Sequence, residues 1–136
     1  MEKISRKVVT IDTDDHDVPL NHKAVPFGLV RYQEELLFQV GLSFLEISHK
    51  FGLISVVSHT TIDWYRRTEL QGGSYVVRTE LEIGDMSLIF KQHLYSGNER
   101  NIKGSHPDIT CVTVVVLVNK NNRDVQIPEV LRKQLT

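Results

Sequence analysis

A single long helical stretch, opening near Phe27 and closed by Gly41, constrains this chain more than any other feature. Leu29, Tyr32, Leu36 and Val40 recur at helical spacing, with Leu37 beside them. Phe27 and Phe38 fall on a different side, near Glu34. The helix is therefore apolar over more than one stripe, and such a helix is expected to be largely buried beneath sheet or partner. Gly41 is placed to end it, because glycine accepts the left-handed conformation that terminates helices.

The flanking sequence supplies the sheet. Lys7 to Ile11 reads as a first strand that enters an Asp-rich turn, Asp12 to Asp17. Val18 to Pro26 carries two prolines and is not regular helix. After a shorter helical piece, Phe44 to Lys50, ended by Gly52, the pattern turns β-like. Ile54 to Arg66 is a long extended run. Gly72-Gly73 turns the chain, and Tyr75 to Ile83 alternates as a strand with one wet face. Leu88 to Tyr95 and the nearly continuous apolar run Ile109 to Val118 read as further strands. Asn119 to Arg123 is polar turn, and Ile127-Pro128 opens a terminal helix, Glu129 to Leu135. The expected order is strand, helix, then four strands of meander. A curved antiparallel sheet wrapped round the central helix is the economical way to cover it, an α+β architecture. Long edge strands would remain open, which points to a second subunit.

At 136 residues the chain is expected to form one domain, 1–136. Lys and Arg total 16 against 17 Asp and Glu, a net charge of −1 that argues against nucleic acid as the main partner. The lone Cys111 lies in an apolar strand, where a buried thiol is expected rather than a nucleophile. The first ten residues are charged and do not resemble a signal peptide. The longest apolar run, Val112 to Val118, is too short to span a bilayer. A soluble, cytoplasmic protein is the expectation.

Chemistry concentrates between the first strand and the helix. Asp12 and Asp14 stand just past the strand and Glu34 stands on the helix, so a carboxylate from each place could act as general base or nucleophile on a carbonyl. The simpler roles are turn capping for the aspartates and an ion pair with Arg31 for Glu34. Asn21 and His22 could orient water or an oxygen, or be solvated loop residues. His16 and His22 lack metal-ligand spacing, so no metal is expected.

Several motifs, in order, resemble the hotdog-fold acyl-CoA thioesterases. The nearest branch holds 4-hydroxybenzoyl-CoA thioesterase and the Tol-Pal-associated thioesterases. Asp12-Thr13-Asp14 is similar to the branch's Asp-Thr-Asp motif. Leu29, Tyr32 and Glu34 stand where the central helix has aromatic, aromatic and Glu. Val56-Val57 with Ile62 to Arg67, Gly72 to Val77, Ser87 to Phe90 and Ile127 to Arg132 resemble later segments. The resemblance covers nearly the whole chain. It implies a hotdog fold, a homodimer or homotetramer, no cofactor, and hydrolysis of an acyl-CoA or acyl-carrier-protein thioester.

Residue by residue, the resemblance makes Asp14 the catalytic carboxylate and Glu34 the fallback base that a second hotdog branch uses. An amide near Phe27 to Leu29 would polarise the thioester carbonyl. Phe27, Gly28, Val57, Ser58 and His59 would touch substrate. Arg66, Arg67, Lys91 and Arg100 are candidates for the CoA phosphates. The segment His16 to Pro26 departs from the pattern: it is longer, carries proline and lacks the glycine that usually follows the motif. Two other readings remain, a hotdog enoyl-CoA hydratase or dehydratase and a non-catalytic acyl-binding subunit.

Overall fold

The computed structural model describes residues 8–15, 25–65, 75–96, 107 and 109–135. Its elements run β1 (Val8–Asp15), α1 (Val25–Gln39), α2 (Phe44–Phe51), β2 (Ile54–Trp64), β3 (Tyr75–Ile83), β4 (Ser87–Ser96), β5 (Ile109–Val118) and α3 (Glu129–Leu135). The five strands form one antiparallel sheet in the order β1-β3-β4-β5-β2. The Gly72-Gly73 turn and the segment 16–24 lie outside the described residues.

Three expectations are corrected. The four-strand meander is only three strands long, because β2 crosses to the far side and pairs with β5 instead of β3. β1 runs through Asp15, so Asp12 to Asp15 belong to a paired strand and not to a turn: their ladder with β3 outweighs the turn preference of aspartate. α1 starts at Val25 and contains Pro26, which the first helical turn tolerates because its amides have no intrahelical acceptor.

The end of α1 and the start of α2 are built from local rules. Gly41 has φ 78°, its N–H bonds to the carbonyl of Phe38, and the Leu42 N–H bonds to that of Leu37. That is the paired hydrogen-bond closure of a helix on a left-handed glycine, and Leu37 and Leu42 both enter the core behind it. α3 helps from outside, its Gln134 Nε2 donating to the carbonyls of Val40 and Gly41 at 3.3 and 3.4 Å. α2 is capped at its start by Ser43, whose Oγ accepts from the Glu46 N–H at 3.0 Å. Ser43→Ala is expected to cost about 1 kcal/mol, read as a lower midpoint in urea at unchanged slope.

The inner face of the sheet is layered. Ile83, Leu88 and Val115 share one register row, and Val77, Leu94 and Ile109 another. They anchor two apolar clusters, the first packed against Leu36, Leu37, Leu42, Ile47 and Leu131, the second against Tyr32. The rows between are mixed: Thr79, Gln92 and Cys111 in one, Leu81, Phe90 and Thr113 in the other. The sheet covers one side of α1. Tyr32, Leu36 and Leu37 are buried, but Val30 is 40% and Phe38 79% exposed.

Candidate active site

Asp14 pairs with Val76 near the end of β1, in the register row that continues to Tyr95 and alternates with the inner-face row of Val77, Leu94 and Ile109, so the ladder itself does not bring Asp14 to the start of α1. α1, whose N-terminal turn holds Phe27 and Gly28, packs against β1 and β3. The amide of Phe27, in the first turn of α1, has no acceptor within the helix and lies at its positive dipole end. Asn21, His22, Arg66, Arg67 and Arg100 lie outside the described residues.

Glu34 is half-buried on the open side of α1. It lines a groove of about 430 Å³ with Glu35, Phe38, Gln39 and Ser43. The ion pair expected with Arg31 goes elsewhere: Arg31 reaches Glu35, one turn on, at 3.9 Å, and lies over the Tyr32 ring at 5.4 Å. Among the described residues no cation pairs with Glu34.

Beside this groove, between α1 and β2, lies an apolar pocket of about 210 Å³ lined by Val30, Gln33, Phe44, Ser55, Val57 and Val115. Of the three β2 residues named as candidate substrate contacts, Val57 lines this pocket. Ser58 and His59 do not share its position. The β2 register slips between Val57 and His59, so Val57 pairs with the core residue Val115 while His59 pairs with Val114. His59 therefore turns to the outer face of the sheet, where its Nε2 lies 2.9 Å from Thr61 Oγ1. Lys91, a candidate for phosphate, is engaged by Glu82 at 3.0 Å.

Sequence reasoning missed the polar centre of the core. Gln33, 3% exposed, donates from Nε2 to Gln92 Oε1 at 3.0 Å, and Gln92 Nε2 donates to Thr79 Oγ1 at 3.2 Å. A signal existed: Gln92 interrupts the apolar phase of Leu88, Phe90 and Leu94, and Thr79 that of Val77 and Leu81. Cys111 is buried 3.7 Å from Thr113, and burial pushes its thiol pKa up, so it is held protonated. On the outer face, burial lowers the pKa of His93, with Arg78 and Lys91 adding to the shift and Glu80 opposing it. No group of three or more metal-ligating side chains occurs among the described residues, and no helix there is long and apolar enough to cross a membrane.

An antiparallel sheet in this strand order, curved over one long helix, is the hotdog fold. Solved thioesterases share it. The chain is similar to 4-hydroxybenzoyl-CoA thioesterase complexed with 4-hydroxybenzoyl-CoA at a TM-score of 0.71 and 9% identity, over 95% of this chain and 99% of that one. It is similar to a 1,4-dihydroxy-2-naphthoyl-CoA thioesterase from Synechocystis at 0.70 and 11%, over 95% and 96% of the two chains. A probable thioesterase from Bartonella henselae matches at 0.66 and 14%, over 90% and 100%. No protein-family model and no curated protein matches the sequence.

Proposed function

We propose that this chain is a cytoplasmic thioesterase that hydrolyses an acyl-CoA or acyl-carrier-protein thioester. The observation that carries the reading is the end-to-end likeness to thioesterase structures, one of them holding an acyl-CoA. The apolar pocket between α1 and β2 supports it, since it offers an acyl group a dry site next to the helix.

In this mechanism the thioester carbonyl sits at the start of α1. An amide of the first turn, that of Phe27, donates to the oxygen as negative charge develops on it. Gly28 has no side chain to obstruct that approach. Asp14 takes a proton from water as its oxygen adds to the carbonyl carbon, or attacks that carbon itself and is freed by water afterwards. Collapse of the tetrahedral adduct breaks the carbon–sulfur bond, and the thiolate leaves and is protonated. Asn21 and His22 would orient the water. Glu34 is the alternative base. The direct test is thiol release from a panel of acyl-CoAs. Absence of release from every aryl, short-chain and long-chain thioester overturns the reading.

The working unit in this proposal is a homodimer, or a tetramer of two such dimers. Among the described residues β2 has β5 on one side and no strand on the other. It leaves Ile54, Val56 and Val57 exposed, beside the exposed Val30 and Phe38 of α1. An unpaired apolar edge of this length is filled most simply by its own copy across a two-fold axis. Val56→Lys puts a charge on that edge and is expected to halve the mass seen by sedimentation equilibrium. An unchanged mass would place the interface elsewhere.

A further inference from the structure

We infer that Arg78 is a positioning residue for Asp14, keeping that carboxylate ionised and fixed among its fellow aspartates. The inference rests on Asp14 as the base or nucleophile of the thioesterase reading.

Like charge collects at the end of β1. Asp12, Asp14 and Asp15 fill three of its last four positions. Alternation puts Asp12 and Asp14 on one face of the strand, roughly 7 Å apart, and Asp15 on the other. Neighbouring carboxylates raise one another's pKa, because each disfavours the charged form of the next. A carboxylate that must stay charged there needs a cation on its own face.

The register supplies one. Arg78 of β3 lies directly opposite Asp12 and one diagonal step from Asp14, which pairs with Val76. Diagonal neighbours in an antiparallel pair stand about 7 to 8 Å apart, within the reach of a long side chain. A guanidinium is always charged and presents a rigid fork of N–H donors, so one can serve two carboxylates. Arg78 is partly buried and its neighbour on that face, Val76, fully so, which weakens screening by water. The charge of Arg78 already acts along this row: it helps to lower the pKa of His93, its partner on β4.

The other charged groups around these positions are committed or of the wrong sign. Burial, the main cause of its lowered pKa, keeps His93 neutral near neutral pH. Lys91 is engaged by Glu82 at 3.0 Å. Glu80, next to Arg78 on this face and opposite Lys91, is acidic, and Tyr95, opposite Val76, brings only a hydroxyl. α1, which packs against β1 and β3, carries Arg31, Glu34 and Glu35, and its Arg31 reaches Glu35. Among the described residues, Arg78 is the cation that the ladder brings to the aspartates.

The test reads the charge on Asp14 directly and through the reaction. In full-length protein labelled with carbon-13 at its aspartate carboxyls, NMR follows each group through pH, and the Asp14 signal is assigned by its loss in Asp14→Asn. In the wild type, Asp14 is expected to titrate below the usual value of about 3.9. In Arg78→Gln its midpoint is expected to rise by about 1 pH unit or more. Arg78→Lys keeps the charge and is expected to stay nearer the wild type than Arg78→Gln does. The acid limb of kcat/KM for thiol release reports the base of the free enzyme, and it is expected to move upward with the midpoint. The inference is overturned if wild-type Asp14 titrates at or above the usual value, or if Arg78→Gln leaves the midpoint or the limb in place. A rise in KM with an unmoved limb also overturns it, since Arg78 would then hold substrate. Should Arg78→Gln not fold, the wild-type midpoint decides. If the wild type releases thiol from no acyl-CoA, the hydrolase reading falls, while the NMR midpoints still judge Arg78.

Discussion

Asp14→Asn is expected to lower kcat for thioester hydrolysis by about 10²- to 10⁴-fold, the range a positioned proton acceptor contributes. Asparagine keeps the size and hydrogen-bonding reach of the side chain but can neither take a proton from water nor attack a carbonyl carbon. The KM is expected to change little, because the carboxylate acts at the carbonyl while the described lining of the acyl pocket comes from α1, α2, β2 and β5. Glu34→Gln is the paired control. Glu34 opens onto the groove that carries Phe38 and Gln39, and α1 places it a turn or more beyond the amides of Phe27 and Gly28. With Asp14 as base, Glu34→Gln is expected to retain hydrolysis within a few-fold. Steady-state thiol release from both variants distinguishes the two carboxylates. A normal rate in Asp14→Asn with a collapsed one in Glu34→Gln would move the base onto the helix.

The second large effect is on stability. Phe90→Ala is expected to cost about 3 to 5 kcal/mol, the usual cost of removing a buried aromatic ring. Phe90 is fully buried in β4, and its ring meets that of Phe44 edge-on at a centroid distance of 5.9 Å. The ring therefore ties the sheet to the start of α2, and its loss opens a cavity in the larger apolar cluster. Unfolding in urea, with the slope checked for constancy, measures the change. Phe38→Ala deletes the same ring from a position 79% exposed in the single chain, where a surface change of about 0.5 kcal/mol or less is expected. A larger, concentration-dependent loss at Phe38 would mean that a partner covers it.

Much of the fold was legible because alternation is a local signal. The spans read for β5 and α3 coincide with the observed Ile109–Val118 and Glu129–Leu135, and α2 ends at Gly52, whose φ is 65°. What alternation does not encode is which strand lies beside which. β2 and β3 follow one another in sequence yet sit on opposite sides of β4 and β5. Helical periodicity likewise shows that Phe38 is apolar without showing that one side of α1 stays open. The site divides the same way. Glu34 and Val57 each line a cavity. His59 does not share Val57's face, because one bulge residue turns the strand over. Gln33 escaped notice because its buried partners come from β4 and β3, far along the chain.

The crossing of β2 also governs how the chain folds. β3, β4 and β5 pair with their sequence neighbours, so that ladder closes between segments near one another in the chain. β2 pairs residue 54 with residue 118, and β1 pairs residue 8 with residue 82, so both outer strands wait for distant chain. Contacts of that range carry a loop-closure cost before they return any stability, and they slow folding towards milliseconds to seconds. On the ribosome, β2 emerges before the strand it needs has been made. Its apolar residues are therefore solvent-facing in the nascent chain, and the segment most exposed to misassociation during synthesis is the same one left open when folding is complete.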